Sequence, residues 1–184
     1  MTWKKAKAGE TVSGNCAFRR AVETDLPDIM RLIHEAQAFI ATQGIDQWQD
    51  GYPDEDTLRR DIVLDQLYLI VDGNAAAAVA ALSLAPEPAY DAIEGAWHSA
   101  GKYMTIHRMA LDDAHRGGGL AAEVLKQAER LARAAGCESL RIDTHRGNRA
   151  MGRFLEKSGF AWCGVVYYYV KKGDPERVAF DKLL

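Results

Sequence analysis

The chain has 184 residues, of which 48% are apolar and 27% are charged. This composition excludes a disordered chain, a collagen-like repeat and a coiled coil, and the length suits one domain. The net charge of −3 gives no reason to expect nucleic acid as a partner, and the longest apolar stretch, Ala75–Ala85, is too short to span a bilayer.

The first half of the chain is predicted to alternate strands and helices after an N-terminal extension. Residues 1–16 show no periodicity, so we expect a flexible extension followed by a single domain over residues 17–184. The elements predicted next are a strand at Ala17–Glu23, a helix that begins after a cap at Thr24 or Asp25 and ends at Gly44, a helix at Asp54–Leu64, and strands at Gln66–Val71 and Ala75–Leu84.

The second half continues the alternation. Its predicted elements are a loop at Pro86–Lys102, a strand at Tyr103–Leu111, a helix at Leu120–Ala135, a strand at Ser139–Asp143, a helix at Asn148–Lys157, and strands at Ala161–Val170 and Arg177–Leu184. Strands and helices that alternate with short connections predict a sheet with helices on its faces.

Three consecutive glycines, Gly117–Gly119, lead directly into the helix that begins at Leu120. Glycines let backbone N–H groups converge without obstruction by Cβ, and the helix N-terminus adds a partial positive charge. Such a bend suits a phosphate or a pyrophosphate. A flexible turn in which the glycines only relieve steric strain is the alternative.

Two nucleotide-binding motifs compete for these glycines. A Walker loop is excluded because Leu120 and Ala121 follow the last glycine where Lys and Ser or Thr are required. A dinucleotide fingerprint fits the spacing Gly117-x-Gly119-x-x-Ala122, and Asp143 follows 21 residues later. Against it, five residues separate the strand from the first glycine, and 41 residues after Asp143 are too few for the rest of such a domain.

Two signatures carry a family resemblance. The sequence Met109-Ala110-Leu111-Asp112, followed by Arg116-x-x-Gly119-x-Ala121, resembles the acetyl-CoA-binding motif of the GCN5-related N-acetyltransferase (GNAT) family, and the stretch NRAMGRFLEKSGF at 148–160 is similar to its second signature. The opening FRRAVETDLPDIMRLI resembles the family's first strand and helix. The resemblance implies an α/β fold with a mixed, mostly antiparallel sheet of six to seven strands, about four flanking helices, and a splayed pair of parallel strands that forms the cofactor cleft.

The resemblance further implies acetyl-CoA as co-substrate and transfer of its acetyl group to a primary amine of a small molecule or peptide. The glycine bend would then bind the pyrophosphate, and the strand before it the pantetheine arm. The residues implied in cofactor binding are Met109, Ala110, Leu111, Arg116, Gly117, Gly118, Gly119, Leu120, Ala121, Asn148, Met151 and Phe154. Asn148 also suits the N-cap of its own helix, and Arg149, Arg153 and Lys157 either reach the 3′-phosphate or are simply solvated.

Three positions bear on catalysis. His107 stands where the family often has a glutamate as general base, so its imidazole is either the base or a packed side chain. The backbone N–H of Leu111 is the implied oxyanion donor. Leu155 occupies the position of the family's usual general-acid tyrosine, so that role is vacant unless a residue of Tyr167–Tyr169 takes it. The vacancy leaves a non-catalytic acyl-CoA-binding sensor as the alternative function.

The acceptor site is predicted from two loops that mix aromatic and acidic residues, from which we expect Trp48, Tyr52 and Glu94 to line the pocket. An equally good explanation of Trp48 is that its side chain anchors the loop in which it lies. Three widely spaced cysteines argue against a disulfide framework and a zinc knuckle, so we expect a cytoplasmic protein with no metal. We expect no membrane partner, and because GNAT proteins often dimerise, a homodimer stays open.

Overall fold

The computed structural model describes residues 10–13, 16–170 and 172–184. Within these residues one sheet has nine strands: β1 Glu10–Ser13, β2 Cys16–Arg20, β3 Leu67–Asp72, β4 Ala75–Ser83, β5 Glu94–Gly95, β6 Tyr103–Leu111, β7 Ser139–Thr144, β8 Ala161–Tyr167 and β9 Glu176–Leu183. The described helices are α1 Leu26–Thr42, α2 Glu55–Val63, α3 Pro88–Asp91, α4 Leu120–Ala134 and α5 Arg149–Lys157.

The sheet is mixed, as predicted. Its strand order is β1-β2-β3-β4-β6-β7-β9-β8-β5, and β6 and β7 are parallel while the other described pairs are antiparallel. The predicted count of six to seven strands and about four helices is too low for the described residues. The prediction missed β1, which lies within the predicted extension. It also missed β5 and the single-turn helix α3, which both lie within the predicted loop before β6. Residues 1–9, 14 and 15 of that extension lie outside the described residues.

Helices cover both faces of the sheet. Along β3, Leu67 and Leu69 pack in the core beneath α1 and α2, whereas Tyr68 and Ile70 pack in the core beneath α4 and α5, as the twofold alternation of a strand requires. The alanine-rich segment Ala75–Ser83 forms β4 in the middle of this arrangement and is buried on both faces. None of the described helices is both long enough and apolar enough to cross a membrane.

The parallel strands separate partway along their length, as the resemblance implied. Pairing between β6 and β7 runs from Tyr103 opposite Ser139 to Thr105 opposite Arg141 and does not continue. On its other side, β6 contains a β-bulge at Arg108, which has a left-handed φ of 52°. A bulge bends its strand and increases the local twist. Beyond Thr105, the edge of β6 that faces β7 is therefore open.

Candidate active site

A cavity of about 720 Å³ lies at the point where β6 and β7 separate. Its wall comes from the loop after α1, the middle of β6, the end of β7, the start of α5 and the segment after β8. Of the residues predicted to be functional, the wall contains Trp48, Tyr52, His107, Met109, Asn148 and Met151. The structure thus brings together predicted acceptor, catalytic and cofactor residues from positions scattered along the chain.

A buried ion pair holds the bulge of β6. Arg108 Nε lies 2.6 Å from Asp61 Oδ2 in α2, and Nη2 donates to Asp61 Oδ1 at 3.0 Å. The third guanidinium nitrogen, Nη1, donates to the Tyr52 hydroxyl at 2.7 Å. The side chains of Arg108 and Asp61 are 11% and 5% exposed, so water screens their attraction only weakly. The network connects β6, α2 and the loop after α1 beside the cavity.

His107 faces the cavity one residue before the bulge. Its Nε2 lies 3.3 Å from Glu87 Oε2, and the His107 side chain is 17% exposed. Burial alone would raise the pKa of Glu87, but the contact with His107 and the hydrogen bond from the Ala89 amide hold that pKa below its usual value. The Glu87 carboxylate therefore orients the His107 imidazole, which contributes a ring nitrogen to the cavity wall.

A second polar cluster lies at the end of β7, where Asp143 and Tyr168 contribute to the cavity wall. The Tyr90 and Tyr168 hydroxyls each donate to Asp143 Oδ2 at 2.8 Å. Burial and the adjacent Asp143 carboxylate raise the pKa of both tyrosines above its usual value. Both phenols thus stay protonated and hold the carboxylate in place, which makes either tyrosine a poor acid toward another group.

The glycine bend forms the N-terminus of α4. Gly119 is the N-cap residue with a left-handed φ of 86°, and no side chain caps the first turn. A Cβ built on Gly117 or Gly119 meets nothing within 4 Å, so open space adjoins the bend. Asp112 secures its start, since one carboxylate oxygen accepts from the Ala114 amide at 2.8 Å and the other from Arg31 of α1 at 2.7 Å.

Comparison with known proteins identifies the family. The model of the acetyltransferase (GNAT) family matches residues 29–160. The chain belongs to the GNAT family. A GNAT-family acetyltransferase from Streptococcus agalactiae 2603 is 36% identical, with a TM-score of 0.81 over 92% of this chain and 95% of that one. No curated protein matches the sequence significantly.

Two further solved structures share the fold at lower identity. One is a ribosomal L7/L12 α-N-protein acetyltransferase in complex with coenzyme A, 19% identical, with a TM-score of 0.68 over 95% of this chain and 97% of that one. The other, from Salmonella typhimurium, modifies the N-terminal serine of 50S ribosomal subunit protein L7/L12; it is 22% identical, with a TM-score of 0.68 over 95% and 98% of the two chains.

One predicted acceptor residue lies outside the cavity of this GNAT protein. Glu94 belongs to β5, which pairs with β8 at the far end of the strand order, and its carboxylate accepts from the Tyr167 hydroxyl at 3.2 Å. The cavity wall does not include it. The structure therefore does not bring Glu94 together with Trp48 and Tyr52, because its loop contains a short strand that pairs with β8, and a role for Glu94 in acceptor binding stays a prediction.

The remaining predicted cofactor residues border the cleft or the bend rather than the cavity. Ala110 is buried beneath α1, while Leu111 and Phe154 are partly buried against the core beneath α4 and α5. The residues Arg116, Gly117, Gly118, Gly119, Leu120 and Ala121 form the bend and the first turn of α4. Arg116 is paired with Asp113 and lies over the Phe39 ring, with Cζ 3.8 Å from the ring centroid.

The second GNAT signature forms α5 and its cap. Asn148 Oδ1 accepts from the Met151 amide at 3.2 Å, so the expected N-cap is present, and Asn148 also reaches the cavity wall. Leu155 is fully buried in the core and offers no proton donor. Arg149, Arg153 and Lys157 are exposed along α5.

Sequence reasoning missed Glu87 beside His107, and it also missed the Arg108–Asp61 pair. Its signal was present, because Arg108 interrupts an apolar strand and Asp61 lies three residues after Leu58 on the buried face of α2. The two residues are 47 positions apart in the chain. Neither position alone indicates that the other is its partner.

Proposed function

We propose that this GNAT protein transfers the acetyl group of acetyl-CoA directly to a primary amine. The observation that carries the proposal is the separation of β6 from β7 beyond Thr105, beside an uncapped N-terminus of α4. That arrangement offers one open strand edge and one cluster of backbone donors at the same end of the sheet. An extended amide-containing arm suits the strand edge, and a pyrophosphate suits the helix end.

The residues of the bend and strand fit coenzyme A. Gly117 and Gly119 leave room for an anion beside the first-turn amides of α4. Asp112 N donates to Ala77 O at 2.9 Å, so Leu111, one residue earlier, occupies a non-hydrogen-bonded position toward β4. The Leu111 N–H therefore faces the edge from which β7 has separated. It is positioned to donate to the oxygen of a thioester that becomes tetrahedral.

His107 is the proposed general base. An ammonium group must lose a proton before its nitrogen attacks a thioester, and the imidazole lies in the cavity wall with Glu87 orienting it. His107 accepts the proton directly or through one water molecule. The Glu87 carboxylate stabilises the imidazolium that results, because an opposite charge nearby favours the charged form.

Leu155 occupies the position of the family's usual tyrosine and is buried in the core, so this position supplies no proton to the leaving sulfur. A thiol of ordinary pKa near 8.5 leaves acceptably as a thiolate, so transfer does not require that acid. The same absence favours the second candidate function, an acyl-CoA-binding sensor without turnover. The two candidates differ in one observable, the release of free thiol in the presence of an amine.

The proposed acceptor is the amino group of a peptide N-terminus or of a small molecule. Trp48 and Tyr52 supply apolar surface to the cavity, and Asp46, Asp50 and Asp54 contribute carboxylates to the same wall. Aromatic faces and carboxylates together suit a cationic group on an apolar body. The enzymes in two solved structures of the same fold act on a protein N-terminus. This supports including N-terminal peptides among the acceptors tested.

The test is a thiol-release assay with acetyl-CoA and a panel of N-terminal peptides and small amines, applied to the wild type, His107→Gln and His34→Gln. We expect His107→Gln to lower kcat by about 100-fold or more and to abolish the rise of rate with pH, while coenzyme A binding is retained. His34 is exposed on α1, so His34→Gln is the matched control and keeps full activity. Coenzyme A binding without thiol release for any amine would instead identify a sensor.

A further inference from the structure

Three side chains with metal-binding chemistry converge at the outer part of the sheet, away from the cavity. His98 lies in the connection between β5 and β6, Cys163 lies in β8, and Asp181 lies in β9. One ligand atom from each lies within 4.8 Å of the others. His98 Nδ1 is 2.7 Å from Asp181 Oδ1 and 3.4 Å from Cys163 Sγ.

From this cluster we propose a binding site for a divalent transition metal, with Zn²⁺ the best match. An imidazole, a thiolate and a carboxylate are the three ligand types that Zn²⁺ takes in proteins. Zinc–sulfur and zinc–nitrogen bonds of about 2.3 and 2.0 Å at a tetrahedral angle place N and S about 3.5 Å apart. The observed 3.4 Å between Nδ1 and Sγ matches that separation. The 2.7 Å between Nδ1 and Asp181 Oδ1 is a hydrogen-bond length, so these two atoms move apart by about 0.6 Å when an ion takes the place of the shared proton.

The local backbone is shaped so that the donors meet. β8 has a register shift between Trp162 and Gly164, which makes Cys163 the extra residue of a bulge opposite β9. Gly95 and Gly164 let β5 approach β8 closely, since a Cβ on either glycine would overlap the backbone of the other strand. This approach brings the His98 connection against the bulge. Bulges commonly re-aim a side chain at functional sites.

A catalytic relay explains the cluster less well. In a Cys–His–Asp triad the carboxylate contacts one imidazole nitrogen and the sulfur contacts the other. Here both partners contact Nδ1 of His98. The three ligand atoms instead lie within 4.8 Å of one another, as the donors to a single ion do. Cys163 and Asp181 are 4% and 1% exposed, whereas the His98 side chain is 46% exposed, so an ion can enter from the His98 side and keep a water ligand.

The charges of the site balance on metal binding. Without an ion, the buried Cys163 side chain is a free thiol that carries its proton. Zn²⁺ displaces that proton to solvent, because a coordinating thiol is deprotonated. A thiolate and a carboxylate then neutralise the ion. Arg141 is a neighbouring cation, but its Nη2 donates to Ser99 O at 2.8 Å and its guanidinium stacks on Trp97 and Tyr103.

The test is titration of the purified, EDTA-treated full chain with Co²⁺ under reducing conditions. We expect one equivalent to bind, with a thiolate-to-cobalt absorption band that Zn²⁺ then displaces. Cys163→Ser and His98→Gln should each abolish the band. Cys137→Ser is the matched control, because Cys137 is also a buried free cysteine but lies outside the cluster, and it should keep the band.

Thermal unfolding gives a second readout that does not depend on spectroscopy. At about 100 times its Kd, Zn²⁺ should raise the Tm of the wild type by about 5–10 °C and leave the Tm of His98→Gln unchanged. His98 is half exposed, so this variant tests binding without disturbing the core. Absence of the band in the wild type, its persistence in Cys163→Ser, or an equal rise of Tm in His98→Gln would overturn the proposal.

Discussion

The Asp61→Asn substitution tests whether a buried charge pair holds the bulge that opens the site. The Asp61 carboxylate lies 2.6 Å from Arg108 Nε and also accepts from Gln66 Nε2 at 2.7 Å. Asparagine keeps the shape and one oxygen but removes the charge, which leaves the Arg108 guanidinium buried without a counter-ion. Breaking a buried pair in this way costs about 3 kcal/mol.

For a domain of this size, a loss of about 3 kcal/mol lowers the Tm by about 6–12 °C. Thermal unfolding followed by circular dichroism measures the shift. Asp65→Asn is the matched control: Asp65 pairs with Arg20 at 2.9 Å, but its side chain is 71% exposed, so we expect a change of no more than about 2 °C. If Asp61→Asn melts within about 2 °C of Asp65→Asn, the pair does not hold the bulge and our reasoning about β6 fails.

Three further predictions concern the bend, the cavity and the start of α1. Gly119→Ala should lose about 1 kcal/mol of stability, because alanine is strained at φ 86°, and should weaken coenzyme A binding about tenfold in calorimetry. Trp48→Ala should raise the acceptor KM in the thiol-release assay while coenzyme A binding stays nearly intact. Asp25→Asn should lose stability at pH 7, and its difference from the wild type in urea unfolding should shrink as the pH falls below about 4. The Arg19 hydrogen bonds lower the pKa of Asp25, so its contribution is complete above about pH 4 and is lost as pH falls through the lowered pKa.

Each of these predictions has a control of the same chemistry. Gly73→Ala imposes similar strain, at φ 58° in the β3–β4 turn, and should leave coenzyme A binding unchanged. Equal loss of binding in both glycine variants would contradict the assignment of the bend. Trp162→Ala removes an exposed indole of β8 and should not alter the KM; unfolding of Trp48→Ala would support its role as a loop anchor instead. Asp56→Asn, at an exposed position, should change stability by no more than about 0.5 kcal/mol at pH 7, and a loss equal to that of Asp25→Asn would contradict the Arg19 explanation.

Local patterns predicted the elements around the cleft between β6 and β7 well. The strand expected at Tyr103–Leu111 has those bounds, and the helix expected from Leu120 begins there because Gly119 adopts a left-handed φ of 86°, which a helix interior excludes. The alanine-rich β4 was also predicted as a strand, since turn residues bound it on both sides. These features depend on residues that are close in the chain.

The errors have a different origin. Strand β5, which contains Glu94, was not predicted because its pairing with β8 depends on contact between Gly95 and Gly164, which are far apart in the sequence. The charge pair of Arg108 and Asp61 was missed for the same reason. Side chains that meet only after the sheet has formed leave no periodic pattern, so their partnership appears only in three dimensions.

The small side chains of β4 limit how freely this protein can vary. Ala78 and Ala80 contact the layer of α4, and Ala76 and Ala81 contact the layer of α1, so the distance between the two helices is set almost entirely by the strand backbone. A larger residue at any of these positions would push one layer outward, at a cost of typically 1–3 kcal/mol. Since both α4 and β6 depend on that spacing, β4 constrains the geometry of the cleft from a distance, although it contributes no side chain to the cavity wall.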